Sequence, residues 1–441
     1  MKDIEKLRNE VIKQGLCSGC GVCEGICPVK AIQTENPYSY HPDTFNQEAC
    51  TECGLCTSVC PGYGYEVYNK YEQNQIFHRD MGYYKNLYSG FTLDKDLRES
   101  ASAGGVATEI LKYLIENNKV DKVSVVQNTD DLNRGLAYTK LTDDIDEILR
   151  AKQSKYVQVS ISSLLKEIIN SNERFAIIGL PCQLAALKQA EDKIKSLKNK
   201  IVVKIGFFCG YTYTPDCING LLSYMGLDKN RVKKIVGWRN GGIPGNFTVE
   251  LKNGNTREIP FRDEHNIDVT FYSLLRCHLC ADWSAVYSDL SVGDIGGWQR
   301  KNLMISRTSK GEELLQRMKQ ADTLHLEQLS EEIAWRNTTL SFMNTAKKER
   351  CHLFIDYLKQ RDYNTPKWNV QYHKKTLTTK WYSKLYFSEL MKIRGNIEFY
   401  EKNPQLMIEK GHYIYQKFWS RLPFLAIRKA EQILLKRREF L

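Results

Sequence analysis

A chain of 441 residues is long enough for two or three domains with at least one large core. Its first residues (MKDIEKLRNEVIKQGLCSG) contain no apolar h-region, and no stretch approaches the roughly 18 uninterrupted apolar residues of a membrane span, so a secreted or membrane-embedded protein is not expected. The formal charge of +11 is accompanied by no recognised nucleic-acid motif, and in the expected cytoplasmic setting 14 cysteines point to metal ligation rather than disulfides.

Residues up to about 65 read as two short loop–helix units, each carrying one run of cysteines. A Tyr- and Asn-rich connector follows, Gly62-Tyr63-Gly64-Tyr65 and then Tyr68 to Gln75, weakly apolar and expected to cross the surface. From about 80 to 300 the pattern becomes mixed α/β. Apolar residues at Ala107, Ile110, Leu111, Leu114 and Ile115 predict an amphipathic helix over Gly104 to Asn117. Lys122 to Gln127 reads as a strand. Arg174 to Cys182 is a buried strand ending in a turn, Gln183 to Lys193 continues as a helix, and Lys200 to Cys209 is a second buried strand. Strand, turn, helix and strand make a βαβ unit, whose ligand positions fall at strand C-termini. Phe247 to Leu251 and Thr256 to Ile259 flank Lys252-Asn253-Gly254-Asn255, a hairpin. Beyond about 340 the chain turns helical, aromatic and basic. The expected organisation is α+β with α/β character: residues 1–75 as a small cysteine-rich module, 76–340 as a mixed α/β domain and 341–441 as a helical basic region.

The chemistry is concentrated in one repeated pattern. Cys17-x2-Cys20-x2-Cys23-x3-Cys27-Pro28 recurs as Cys50-x2-Cys53-x2-Cys56-x3-Cys60-Pro61. This is the ligand spacing of a bacterial-type ferredoxin with two 4Fe-4S clusters. The first three cysteines of a run share a tight loop, and the fourth ligates the other cluster. Cys17, Cys20, Cys23 and Cys60 are therefore assigned to one centre, and Cys50, Cys53, Cys56 and Cys27 to the other. Ser18, Gly19, Gly21 and Gly54 leave room for backbone N–H groups to reach the sulfurs. A disulfide framework or zinc sites would not require a duplicated spacing that ends in Cys-Pro. A 4Fe-4S core with four thiolates is a dianion, so two or three clusters remove roughly four to six units of the formal charge.

Cys182, Cys209, Cys277 and Cys280 form a second constellation, each at a strand end or in a tight loop. They suit a third cluster, although zinc or inert buried cysteine fits the spacing too. Cys217 and Cys351 have no patterned neighbours and read as ordinary cysteines, and His278 as an outer or exposed residue of the loop rather than a ligand.

Beyond these cysteines, Ser100-Ala-Ser-Ala-Gly104-Gly105, Gln153-Ser-Lys-Tyr156, Gly179-Leu-Pro-Cys-Gln183, Cys277-x2-Cys280-x-Asp282 and Asp289-Leu-Ser-Val-Gly-Asp294 appear in order. Taken together over roughly residues 15 to 300, the chain resembles the family of coenzyme F420 hydrogenase/dehydrogenase beta subunits, to which plant 7-hydroxymethyl chlorophyll a reductase belongs. The resemblance implies an FAD flavoprotein, with 76–340 as the mixed α/β flavin-binding domain behind the two-cluster ferredoxin module of 1–75, and an additional 4Fe-4S cluster beside the flavin. Ala101 and Ala103 stand where the family usually has serine, which removes one side-chain contact.

Gly104 and Gly105 open a helix, where backbone N–H groups and the positive helix end suit a pyrophosphate; Ser100 and Ser102 add hydroxyls, or Ser102 is simply an N-cap. Ser154, Lys155 and Tyr156 match a family segment lying against the flavin, with Lys155 offsetting negative charge. Gly293 permits close approach to a cofactor and Asp294 accepts a hydrogen bond from it. No G-x-G-x-x-G follows a strand, so a Rossmann-type NAD site is unsupported. The expected activity is electron passage between the clusters and FAD, with reduction or oxidation of a bound substrate such as an intermediate of surface polysaccharide or coenzyme F420. The rival reading is a non-catalytic electron-transfer subunit serving a partner enzyme. Either form needs an external electron partner, a ferredoxin or a partner oxidoreductase subunit. The tail from His412 to Leu441 suits contact with an anionic membrane, or packing on its own domain.

Overall fold

The computed structural model describes residues 2–296, 299–337 and 339–369, with short stretches between 385 and 410. The basic tail from 412 therefore lies outside the described residues.

Each cysteine run wraps into a loop that leads into a single helical turn, Val22–Gly25 in one and Leu55–Ser58 in the other. Both turns start from a glycine in the left-handed region, Gly21 at φ 76° and Gly54 at φ 70°. Gly21 has a second reason to be glycine: a Cβ there would stand 1.8 Å from Ser160 Oγ.

An eight-stranded mixed sheet forms the centre of the molecule. Its strands are β1 (Asn86–Thr92), β2 (Lys122–Asn128), β3 (Ala137–Thr142), β4 (Phe175–Gly179), β5 (Ile201–Phe207), β6 (Leu290–Asp294), β7 (Asn302–Ser306) and β8 (Leu324–Leu329). The spatial order is β8-β1-β7-β6-β5-β4-β2-β3. The inner four, β6, β5, β4 and β2, run parallel; β7, β1, β8 and β3 pair antiparallel. Alternate residues of β4 enter opposite cores, Phe175 and Ile177 on one face and Ala176 and Ile178 on the other. Burial on both faces is why this strand reads as a continuous apolar run.

On one side, helices Val106–Glu116 and Ser309–Gln320 bury Val106, Ile110, Leu114, Leu315 and Met318. Pro181–Lys193 follows β4 at once and leads by a short helix into β5, completing the expected βαβ unit. The predicted hairpin is two strands of a separate antiparallel sheet, Val232–Asn240, Asn246–Leu251 and Thr256–Pro260.

The C-terminal ends of β4, β5 and β6 deliver Cys182, Cys209 and Asp294 to one edge of the sheet. The cysteine-rich segment is held at that edge: Ile161 N donates to Cys20 O, Gln158 Nε2 donates to Gly19 O, and Lys166 pairs with Glu24 at 2.9 Å.

The connector differs from the expected surface crossing. Tyr65 and Val67 are buried, Gly64–Tyr65 pairs in parallel with Lys367–Trp368, and Tyr65 Oη donates to Asp282. Gln75 is also buried and donates to Arg307 O. Tyr65, Tyr68 and Gln75, which made this segment look polar, find partners for their polar tips, which offsets the cost of burial.

Candidate functional site

Cys17, Cys20, Cys23 and Cys60 line one void of about 350 Å³ including its mouth, walled otherwise by residues such as Leu7, Val11 and Pro61. Cys60 comes from the second run and faces the first, the crossed geometry anticipated from spacing. Burial pushes Cys17 up to about 12, with the Cys20 sulfur adding to it. Burial and then Cys60 push Cys20 up to about 11, while burial and then Cys17 push Cys60 up to about 12. Cys23 rises well above the ordinary thiol value by burial, reinforced by Cys20, Cys60 and Cys17. Four thiolates gathered here would repel one another and lack solvation, so they call for concentrated positive charge, which iron would supply. Gly19 N donates to Cys17 Sγ at 3.4 Å, one of the backbone contacts that the small loop residues permit.

The other four are nearer solvent. Cys53 is exposed, and Cys27, Cys50 and Cys56 are half-buried. Burial pushes Cys56 up to about 12, with Asp3, Cys27 and Cys53 adding to it. Ala31 N donates to Cys27 Sγ at 3.2 Å.

Cys182, Cys209, Cys277 and Cys280 also converge. Cys182 rises well above its ordinary value by burial, then through Cys20, Cys209, Cys277 and Cys280. Cys209 is pushed up to about 12 by burial, opposed by the Lys347 ammonium and reinforced by Cys277 and Cys280. Cys182 sits in the first turn of its helix behind Pro181 rather than at the strand end itself. Asp282 of the Cys-x2-Cys-x-Asp segment shapes the loop, accepting from Ser284 N and Val286 N. None of the three groups closes to single-ion distance: among the described residues no three His, Cys, Asp or Glu side chains are tight enough to hold one metal ion. Cys20, which raises Cys182 beside burial, belongs to the void group, so these two groups abut.

The residues expected near a flavin gather at the same edge. Ser102 Oγ accepts from Ser154 N at 3.0 Å and Gln153 Nε2 donates to Ser100 O at 3.0 Å, tying the two segments together. Ser102 is not an N-cap; Gly105, at φ 76°, takes that position. Gly104 lies against Gly90 O and Asn302, so its missing side chain serves packing. Gly293 is covered by the Phe208 ring, with a Cβ position 2.0 Å from Cδ2. Lys155 Nζ donates to the Ala151, Lys152 and Gln153 carbonyls behind helix Ile145–Arg150, and burial pulls it down to about 7. Asp294 accepts from Gly296 N and lies 3.9 Å from Arg239 Nη1; burial raises its pKa. Tyr156 is packed against Trp238, Phe261 and Tyr213.

Several interior charges were not singled out in the sequence. Arg239 is buried beside Phe261 and Asp294, and its Nη2 finds no partner among the described residues. Such a donor suits an anionic group. Glu264 and Asp268 are wholly buried, one helical turn apart, and all four of their oxygens lack a donor among the described residues. Burial raises both, and the neighbouring Glu264 charge raises Asp268 further. Arg276 and Lys347 lie beside the cysteines. Charged residues look like surface in a sequence, and only Glu264 and Asp268, at i and i+4, carried a spacing that could have flagged them. His278 is buried, with Nε2 2.9 Å from Ser273 Oγ; Cys217 and Cys351 are buried too, and Cys351 Sγ donates to Leu279 O, between Cys277 and Cys280.

Residues 87–166 match the model for coenzyme F420 hydrogenase/dehydrogenase beta subunit, N-terminal part, and 172–332 match its C-terminal counterpart. The chain belongs to this family of beta subunits. Residues 16–63 match the 4Fe-4S dicluster domain, which makes this family member an iron–sulfur protein with a ferredoxin-type N-terminus. It is 27% identical over 335 residues to the coenzyme F420-dependent sulfite reductase of Methanocaldococcus jannaschii, covering 73% of this chain and 49% of that protein. The chain thus spans about half the length of that relative. It is 24% identical to one component of the F420H2 dehydrogenase of Methanosarcina mazei, covering 69% of this chain and 82% of that protein. It is 27% identical to the coenzyme F420 hydrogenase beta subunit of Methanococcus voltae, covering 57% and 86%. A chain of the F420-reducing [NiFe] hydrogenase complex from Methanosarcina barkeri shares the fold, with a TM-score of 0.53, 20% identity and coverage of 66% of this chain and 98% of that one. No helix among the described residues is long and apolar enough to cross a membrane.

Proposed function

We propose that this protein is an iron–sulfur electron-transfer subunit that works with a partner oxidoreductase. Electrons move between a solvent-near centre on Cys27, Cys50, Cys53 and Cys56, a buried centre on Cys17, Cys20, Cys23 and Cys60, and a third on Cys182, Cys209, Cys277 and Cys280. The observation that carries this reading is the position of Cys20, which borders the void and adjoins Cys182. The duplicated spacing that ends in Cys-Pro suits cluster ligands better than zinc. The exposed Cys53 makes the first centre the natural contact for a ferredoxin or partner subunit, and either direction of flow is allowed. Anaerobic protein should carry about twelve iron atoms and twelve acid-labile sulfides per chain, three 4Fe-4S centres. Stoichiometric zinc, or about four irons, refutes the reading.

A second reading adds FAD and a substrate site, making the chain an oxidoreductase in its own right. The unpartnered buried Nη2 of Arg239, next to Asp294, favours it. Ser100, Ser102, Gly104, Gly105, Ser154, Lys155, Tyr156, Gly293 and Asp294 would surround the cofactor. Since Gly104 and Gly293 are filled by protein contacts and Lys155 is held by carbonyls, binding would rest on backbone N–H groups and Arg239. A flavin couples one-electron centres to two-electron hydride chemistry. The substrate on this reading is a small molecule, an intermediate of surface polysaccharide or coenzyme F420. Flavin extraction tests it: about one FAD per chain, lost in Arg239→Met with iron retained, supports the second reading, and flavin-free protein with all three centres leaves the first.

A further inference from the structure

Arg276 occupies the joint between the buried ferredoxin-type group and the group on the α/β domain. It lies on the short helix Leu275–His278, directly before Cys277, and is 2% exposed. Its Nη2 donates to Pro61 O at 2.7 Å, the carbonyl next to Cys60, and its Nη1 to Leu279 O at 3.2 Å. The guanidinium sits 4.8 Å from the Trp368 ring centroid, and Trp368 Nε1 shares the Leu279 carbonyl. Among the described residues no carboxylate pairs with it, and its Nε has no hydrogen-bond partner.

A buried guanidinium cannot shed its proton, and an uncompensated one is costly. Cluster cysteines lie on both sides of it: Cys60 adjoins the Pro61 carbonyl that it holds, and Leu279, whose carbonyl it also holds, stands between Cys277 and Cys280. Lys347, also buried, donates to Cys209 O, within the third group. Of these two buried cations, only Arg276 reaches both groups.

We propose that Arg276 is an electrostatic link between two iron–sulfur centres, a fixed positive charge that raises the reduction potentials of the buried ferredoxin-type centre and the third centre together. The inference rests on the cysteine assignments above. Reduction makes a dianionic cluster a trianion, and a nearby cation in a low-dielectric joint stabilises the reduced form more than the oxidised one.

The test is potentiometric titration of full-length, anaerobically loaded protein followed by EPR, with iron content measured in parallel. Three centres in the wild type are the precondition; fewer would overturn the cysteine assignments before any variant is made. R276Q removes the charge, and R276M removes it while keeping the apolar contact with Trp368, so one can substitute for the other if folding suffers. Either variant with full iron should show the two interior potentials lowered by at least a tenfold change in reduction equilibrium, 59 mV for a one-electron couple. The solvent-near centre should not move, and R276K should stay near wild type. K347M should lower the third centre alone. Unchanged interior potentials in a fully loaded variant, or an equal shift in all three centres, overturn the proposal. So does R276K falling as far as R276Q, because hydrogen bonding rather than charge would then be responsible.

Discussion

The void bounded by Cys17, Cys20, Cys23 and Cys60 predicts which pairs of cysteine variants must behave alike. Cys60→Ser removes a ligand that lies 33 positions beyond Cys27 in sequence yet faces the first run in space. It should therefore damage the same centre as Cys17→Ser. Cys27→Ser, despite belonging to the first run, should reproduce Cys53→Ser. Each variant removes one corner of one centre, so iron should fall from about twelve atoms to about eight as that cluster is lost. Low-temperature EPR of the reduced protein separates the two classes, since the buried and solvent-near centres differ in environment. The crossed assignment is wrong if Cys60→Ser loses the signal lost in Cys53→Ser while the Cys17→Ser signal survives.

Three further outcomes follow from packing and charge. Gly293→Ala places a methyl 2.0 Å from Phe208 Cδ2, in a ring packed on Trp283, and should cost about 1–3 kcal/mol by overpacking, read as a lowered Tm with iron content retained. Arg307 is fully buried and donates to Met81 O, Tyr83 O, Ser284 O, Ser284 Oγ and Ser291 Oγ. Arg307→Met strands those acceptors and should destabilise by at least about 3 kcal/mol; a change in Tm within error would refute it. Glu264 and Asp268 have folded pKa values raised by burial, so the folded protein holds protons that the unfolded chain releases. Their contribution to stability is therefore complete below the ordinary carboxylate range and declines as pH rises toward the raised values. Asp268→Asn removes one ionisation, and its Tm should fall less than that of wild type between pH 5 and 9, roughly the span above the unperturbed values; parallel Tm profiles would contradict this.

The cysteine spacing, the helix over 106–116, the strands at 122, 175 and 201 and the hairpin were legible because each expresses a local rule: a ligand spacing, an apolar period or a turn signal. β1, β6, β7 and β8 are less so, because their pairing joins residues 86–92 to residues 290–329 and nothing local encodes such a partnership. The convergence of Cys182 and Cys209 with Cys277 and Cys280 was anticipated in outline, since strand ends collect at one edge of a parallel sheet. The charges around them were not. Arg276, Arg239 and Lys347 acquire meaning only from neighbours distant in sequence, and a buried arginine looks like a surface one until its counter-charge is known. The serines and glycines at 100–105 show the converse: their motif is visible, but part of its job is packing against β1 and β7.

The buried connector makes the N-terminal module a fixture. Tyr65 is clamped between Asp282, Tyr287 and Trp368, so the chain leaving the ferredoxin-type segment is laid into the body of the protein. A swinging carrier would make each electron wait for a diffusive encounter, and throughput would fall as the solvent thickened. Here the distance from the first group of thiols to the third is set once, at folding. Transfer through the interior should be indifferent to viscosity, leaving the meeting with the outside partner as the step that solvent can slow.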